Sequence, residues 1–225
     1  MAKKYLYIIL LLVSLGTFRA IAQDTKQLPK TQEKTAIEGL NLFPNPVTGG
    51  KVSISTKNDF NKDIAIFDLI KVHDDAHARF DATKRTYEYH IHTKKNAFES
   101  DDSWYYSLPL DVEKMNEACK ILFEYIDFEC FSKTHTDVNT FNCKIFEANW
   151  KQNEDKLVFT IAADRFLRNM VRAIVGTMIN IGSGKVSLND FRKIIESKNR
   201  SKAGFSVPAH GLYLTKIEYP YLSDE

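Results

Sequence analysis

The segment RFLRNMVRAIVG, residues 165–176, carries the pattern that decides the fold of this chain. From Phe166 to Met178 an apolar side chain recurs every four residues, close to the period of about 3.6 residues of a helix that buries one face. The pattern therefore predicts a helix over Phe166–Ile181 that packs against the body of the protein.

Three arginines accompany this pattern. Arg165, Arg168 and Arg172 stand at positions i, i+3 and i+7, which would place them on one side of the predicted helix. Like charges at this spacing repel each other. Because the helix is otherwise apolar, we expect at least one guanidinium to be partly buried and to need a carboxylate or phosphate partner. An exposed basic stripe is the alternative.

The sequence on either side alternates between strand and helix patterns. The predicted elements are a strand over Ala78–His92, a helix over Leu110–Ile126, strands over Lys144–Trp150 and Leu157–Ala163, a helix from the N-cap Ser187 to Glu196, and a strand over Leu212–Tyr219. Strands mixed with segregated helices predict an α+β fold, with helices on one face of a mixed, mainly antiparallel sheet.

The positive charge of the chain is concentrated in one stretch. The whole chain has a net charge of +2, but Arg165–Lys202 contains nine basic residues against two acidic ones. Such a stretch fits a surface that contacts phosphate, and a solvated helix face is the alternative. The candidate phosphate contacts are Arg165, Lys185, Arg192, Lys193, Lys198, Arg200 and Lys202.

Cysteine and histidine usage predicts neither a disulfide framework nor a metal site. Cys119, Cys130 and Cys143 lie far apart and are odd in number, so we expect buried reduced thiols, which are typical of a cytosolic protein. His90 and His92 share one face of the predicted strand, but no third ligand follows at a suitable spacing. We therefore expect exposed histidines there.

The first 39 residues indicate a different compartment. Two lysines precede a short apolar run, Tyr5–Leu15, and Ala20-Ile21-Ala22 offers small residues for cleavage. This order predicts a secretory signal peptide over residues 1–22, followed by a polar linker over residues 23–39. The apolar run is too short for a comfortable membrane span. A buried N-terminal helix is the alternative.

Residues 40–70 form a third segment. LNLFPNP, residues 40–46, precedes two alternating stretches, Lys51–Thr56 and Asp63–Leu69, which predict short strands. The segment resembles part of the C-terminal sorting domain of secreted Bacteroidetes proteins, a small β-sandwich of the type IX secretion system. The resemblance ends near Ile70, before the later strands of that family, and it implies an exported protein.

Beyond residue 70, four segments in order resemble the tRNA pseudouridine synthase A family. They are AHARFDATKRTYEYHI (76–91), DFECFSK (127–133), RFLRNMVRAIVG (165–176) and VPAHGLYLTKIEYP (207–220). The resemblance implies that residues 71–225 form the C-terminal half of a pseudouridine synthase fold. It also implies isomerisation of uridines in the anticodon arm of tRNA, no cofactor, a homodimer with tRNA across both subunits, and a cytoplasmic location.

The same resemblance assigns roles to particular residues. In this family an aspartate attacks the nucleoside, and Arg172 occupies the position of the arginine that ion-pairs with it. Tyr87 matches the tyrosine that stacks on the flipped uracil. From its spacing alone, Tyr87 is better interpreted as a core aromatic of a half-buried strand, and only the resemblance favours the functional role. The further substrate-binding candidates are Arg85, Arg168, Gly211 and Leu212.

The nucleophile itself has no counterpart in this sequence. The family carries it in a G-R-T-D-x-G-V-H-A motif, which does not occur in the chain; residues 1–70 stand in its place. Asp81 and Asp164 are the nearest acidic candidates. We therefore expect a truncated family member that is inactive by itself. The alternatives are a non-catalytic RNA-binding remnant, an exported surface protein, and two unrelated reading frames joined near Ile70 and Lys71.

Overall fold

The structure is a computed structural model, and it divides the chain into two compact units. One comprises Met1–Ile8 and Lys71–Glu225, and the other comprises Ile9–Ile70. The residues described are 6–8, 41–43, 53–55, 70–134 and 138–222.

The N-terminal segments are described only in short pieces. The strands there are β1 (Leu6–Ile8), β2 (Asn41–Phe43), β3 (Ser53–Ser55) and β4 (Ile70–Val72). β1 pairs with β4, and β2 pairs antiparallel with β3, which lies inside the predicted strand over Lys51–Thr56. Most of residues 1–22, 23–39 and 40–70 lies outside the described residues, so the signal peptide, linker and sorting segment stay predictions.

A mainly antiparallel sheet organises the larger unit. Its strands are β5 (Lys84–His92), β6 (Trp104–Tyr105), β7 (Ile145–Asn153), β8 (Lys156–Ala163) and β9 (Leu212–Glu218). β5 pairs antiparallel with β8 on one side and with β9 on the other, and β8 pairs antiparallel with β7. β6 pairs parallel with the last two residues of β5.

The helices cover one face of this sheet. They are α1 (Val112–Leu122), α2 (Met170–Gly182) and α3 (Leu188–Glu196). Trp150, Phe159 and Tyr89 are paired across three strands and point into the core, where the Trp150 indole N–H donates to Met178 Sδ of α2 at 3.1 Å. The register places Glu88 on the opposite face, which is only partly buried. The predicted α+β class is confirmed.

Several predicted boundaries shift for local reasons. α1 begins after the N-cap Asp111 and ends at Leu122, so Ile126, the last residue of the predicted helix, lies outside it, and its side chain is 62% exposed. β5 begins at Lys84 rather than Ala78, because the Asp81 carboxylate accepts the His77 backbone N–H at 2.6 Å and closes a turn there. The predicted N-cap Ser187 is confirmed; its hydroxyl accepts the Asp190 N–H at 3.0 Å.

The helix predicted from Phe166 begins only at Met170. Asn169 has φ +70, a left-handed conformation that interrupts helical geometry before α2. Arg165 and Arg168 therefore precede the helix, and only Arg172 lies on it. The prediction that three arginines share one helix side is wrong.

The prediction for the cysteines is confirmed, whereas the prediction of exposed histidines is wrong for His92. All three cysteines are reduced and buried, as predicted. His92 is buried rather than exposed, with Nδ1 2.5 Å from Ser103 Oγ and its ring stacked on Tyr105. His90 is half-buried, with Nε2 2.9 Å from the Glu88 carboxylate.

Two absences concern the described residues alone. Among them, no group of three or more His, Cys, Asp or Glu side chains is placed to hold a metal ion. No helix in the described part of the chain combines the length and apolarity that crossing a membrane requires.

One backbone contact fixes the loop that follows α3. Gly176 of α2 and Gly204 lie at the point where loop and helix touch, and a Cβ on Gly176 would overlap the carbonyl oxygen of Phe205. The Thr177 hydroxyl accepts the Gly204 N–H at 2.8 Å and donates to the Ala173 carbonyl at 2.8 Å. The loop therefore rests directly on the helix backbone.

This contact makes Gly176→Ala an informative substitution. In an ordinary helix interior the change would stabilise by about 0.5–1 kcal/mol. Here we expect the free energy of unfolding to fall by about 2 kcal/mol or more, because backbone must move to admit the methyl group. Urea denaturation followed by tryptophan fluorescence measures the difference.

A matched control separates this effect from a general sensitivity of the glycines. Gly184 has φ +76 and open space around it, and asparagine tolerates this conformation better than most residues, so Gly184→Asn should lower stability less than Gly176→Ala does. Stabilisation by Gly176→Ala would contradict the close contact.

Candidate functional site

Arg172, in the first turn of α2, is held by the loop that rests on that helix. Its Nε donates to the Val207 carbonyl oxygen at 2.5 Å, and the Val207 N–H donates back to the Arg172 carbonyl at 3.3 Å. The side chain is half-buried. One edge of the guanidinium is thus fixed, and among the described residues its other N–H groups have no hydrogen-bond partner.

The loop over residues 204–208 is itself fixed by polar side chains. Arg200 donates to the Gly204 carbonyl and to Ser206 Oγ, both at 2.9 Å. Asn169 Nδ2 also donates to Ser206 Oγ, at 2.5 Å. Val207 is fully buried. These bonds set the position of the carbonyl group that holds Arg172.

Tyr89 of β5 contacts the same loop from the side of the sheet. Its ring is fully buried, and its hydroxyl donates to the Pro208 carbonyl at 2.8 Å. Burial raises the pKa of Tyr89 well above its usual range, although the positive charge of Arg172 acts in the opposite direction. Tyr89 is therefore a neutral hydrogen-bond donor beside a cation.

Gly211 and Leu212 follow at the start of β9. A Cβ on Gly211 would lie 2.7 Å from the His90 carbonyl oxygen and 3.1 Å from the Tyr89 ring, so the position has no room for a side chain. Leu212 pairs directly with Tyr89 in the sheet. These two predicted substrate-binding residues thus lie against Tyr89.

Tyr87 precedes Tyr89 by two residues and shares its face of β5, about 7 Å along the strand. Its half-buried ring meets Phe166 edge-on, with centroids 5.1 Å apart. Burial raises the pKa of Tyr87, against the opposing charge of Arg85. The pairing of β5 with β9 shifts register between Thr86 and Tyr87, where β9 carries one extra residue, Thr215.

No carboxylate forms an ion pair with Arg172 in the described part of the chain. The Asp81 carboxylate accepts the His77 N–H in its own turn. The Asp164 carboxylate accepts the backbone N–H groups of Lys144 at 2.8 Å and Arg165 at 2.7 Å. Both sequence candidates are therefore engaged elsewhere.

The other two predicted substrate-binding arginines are placed differently. The Arg85 guanidinium donates to three backbone carbonyls, those of Arg79, Ala82 and Asp164, and so joins the loop before β5 to the end of β8. Arg168 is exposed on the segment that leads into α2.

The basic stretch is only partly free to bind anions. Arg192 pairs with Glu124, Lys193 with Asp190 at 2.9 Å, and Lys198 with Asp127 at 2.7 Å. Arg165 donates to the Thr140 carbonyl at 3.3 Å, and Arg200 holds the loop. Among the described residues, the exposed Lys185 and Lys202 have no side-chain partner.

Sequence reasoning missed Tyr89 and the Val207 carbonyl. Strand alternation places Tyr89 on the same face as Tyr87, and this signal could have indicated that Tyr89 lies near the site. The Val207 carbonyl is a backbone group whose role depends on the contact between loop and helix, which no residue pattern indicates.

Comparison with known proteins identifies the family. A family model described as tRNA pseudouridine synthase matches residues 121–220. The protein named tRNA pseudouridine synthase A from Parabacteroides distasonis is 57% identical over 161 residues, which are 71% of this chain and 63% of that protein. The protein of the same name from Bacillus subtilis is 37% identical over 70% of this chain and 64% of its own length.

The match to the Bacteroides fragilis protein named tRNA pseudouridine synthase A extends over 176 residues, 78% of this chain and 70% of the relative, with 52% identity. The chain thus spans between 63% and 70% of the length of these relatives. At this identity and coverage, the chain belongs to the tRNA pseudouridine synthase A family.

Proposed function

We propose that this chain binds tRNA and provides the arginine and tyrosine side of a uridine-isomerising site. The observation that carries the proposal is the half-buried guanidinium of Arg172, which one backbone carbonyl holds in place while its other N–H groups remain free of carboxylates in the described structure. The names of the relatives supply the substrate, tRNA.

The chemistry of each group fits this role. A guanidinium beside a buried neutral phenol favours the ionised form of a carboxylate that approaches it. An ionised carboxylate is the form that can attack a nucleoside. Tyr87, with its ring braced by Phe166, presents an aromatic surface on which a flipped uracil can stack. The reaction that these groups serve needs no cofactor.

We further infer that this chain is inactive by itself. The motif that carries the nucleophilic aspartate does not occur in its 225 residues. Asp81 and Asp164 are held by backbone N–H groups and leave Arg172 without an acidic partner among the described residues. Covalent catalysis then has no first step.

Uridine isomerisation offers a direct measurement. Forming the new carbon–carbon bond displaces the hydrogen at C5 of uracil, so tRNA labelled with tritium at that position reports each turnover. We expect no tritium release by this chain above the rate in buffer, and release by the Bacteroides fragilis relative as the reference. Turnover by the purified chain would show that another acidic group serves as the nucleophile.

A binding function without catalysis is the second candidate, and two exposed lysines favour it. Lys185 and Lys202 carry charges that no side chain neutralises in the described structure, whereas Lys193 is paired with Asp190. Each phosphate contact contributes about one to the slope of log affinity against log salt.

The double variant Lys185→Ala/Lys202→Ala should therefore bind tRNA more weakly, with a salt slope shallower by about 2. Filter binding at several salt concentrations measures both quantities. Lys193→Ala is the matched control and should change the slope less, because its charge is already compensated. Equal slopes for the double variant and the wild type would place the phosphates elsewhere.

Family resemblance also supports a homodimer with tRNA across both subunits and a cytoplasmic location. The N-terminal segment supports export instead. We infer that residues 1–70 and 71–225 come from two reading frames, a secreted protein's and an enzyme's, joined near Ile70 and Lys71. One of the two boundaries between the compact units lies between Ile70 and Lys71, as this proposal requires, whereas Met1–Ile8 belong to the same unit as Lys71–Glu225.

DNA from the source organism, sequenced across the codons for residues 65–76, should show a deletion or assembly junction. A continuous transcribed gene would overturn the fusion proposal. In that case cell fractionation decides between the compartments: recovery only from the cytosol, with residues 1–22 still attached, would exclude export.

A further inference from the structure

An aromatic cluster adjoins the loop that holds Arg172. The Phe205 ring meets Trp104 edge-on, with centroids 5.9 Å apart, and Trp104 also contacts Tyr106 at 5.0 Å and Tyr89 at 6.5 Å. Tyr89 is fully buried, Trp104 and Tyr106 are half-buried, and Phe205 is 50% exposed. The cluster thus leads from the wall of the site to the surface.

The exposed ring stands on a fixed backbone. The Phe205 carbonyl lies against Gly176, and Arg200 binds the residues on both sides of Phe205, Gly204 and Ser206, at 2.9 Å each. A ring displayed on such a loop loses little conformational entropy when a ligand stacks on it.

Two positively charged side chains bind the same loop. The Arg200 guanidinium spans the residues that flank Phe205, and Arg172 binds Val207 two residues farther along the loop. Aromatic rings that accept bases, combined with cations that attract phosphates, are the usual means of holding a single nucleic-acid strand.

We propose that Phe205, backed by Trp104, stacks a nucleobase that flanks the nucleotide held at Tyr87 and Arg172. The subsite takes any base, because every base has a flat face and the cluster offers no base-specific pattern. This inference rests on the proposed tRNA-binding function, and it adds a contact on the loop between α3 and β9.

Removing the ring should weaken binding without changing its salt dependence. Stacking of one base accounts for about 1–3 kcal/mol, so Phe205→Ala should raise the Kd for an unmodified tRNA transcript by about 5- to 150-fold. The salt slope should match the wild type, because no charge is removed. Phe205→Trp should restore most of the affinity.

The control is Phe123→Ala, at a side chain of nearly the same exposure, 49%, at the C-terminal cap of α1. The fluorescence of Trp104 can report binding directly. Trp104 contacts Phe205, whereas Trp150, the other tryptophan, is buried in the core. We expect tRNA to change the fluorescence of Trp104, and this change to survive Trp150→Phe.

The outcomes separate the two proposals. Failure of the wild-type chain to bind tRNA at low salt would overturn the proposed function, and the stacking subsite with it. Normal wild-type binding with equal affinities for Phe205→Ala and Phe123→Ala would overturn the subsite alone. Loss of affinity that neither Phe205→Trp nor Phe205→Tyr restores would likewise exclude stacking.

Discussion

The close contact between α2 and the loop over residues 204–208 governs the geometry of the whole site. It requires two glycines, because Gly176 and Gly204 bring backbone within a distance that no side chain allows. From it follow the carbonyl that holds Arg172, the carbonyl that accepts the Tyr89 hydroxyl, and the display of Phe205. Three functional features therefore depend on one packing constraint.

That constraint also changes the energetics expected for Arg172. A buried cation that loses its carboxylate costs on the order of 3–5 kcal/mol. Here the guanidinium is half-buried and keeps a backbone carbonyl as acceptor, so water and the protein share its solvation. The penalty for lacking an acidic partner is correspondingly smaller, and the arginine remains compatible with a folded chain.

The sequence predicted those parts of the structure that depend on local periodicity. The strand pair before α2 and the N-cap Ser187 both follow from local sequence patterns. The start of α2 was mispredicted, because the apolar period continues through residues whose backbone turns at Asn169 instead.

The family motifs indicate site residues that lie near one another in the structure, among them Tyr87, Gly211 and Leu212. They do not indicate which groups these and the other predicted residues bind through hydrogen bonds or ion pairs. Arg85, predicted to bind substrate, donates to the Asp164 carbonyl, which is 79 residues away in the sequence, and to two carbonyls of the loop before β5. Lys198 is paired with Asp127, and Arg192 with Glu124. Such long-range pairs arise from tertiary packing, which one-dimensional charge counts do not contain.

Under the proposed function, binding and chemistry depend on different groups. A nucleophilic carboxylate is needed for reaction, but the orientation of Arg172 comes from the Val207 carbonyl, and that of Tyr87 from Phe166 and the sheet. Asn116 of α1 also covers the outer edge of β7, because its side-chain amide exchanges hydrogen bonds of 2.8 and 3.0 Å with the Trp150 backbone. A family member that lacks the nucleophile can thus retain an ordered binding face, since no group that orders that face is the group that reacts.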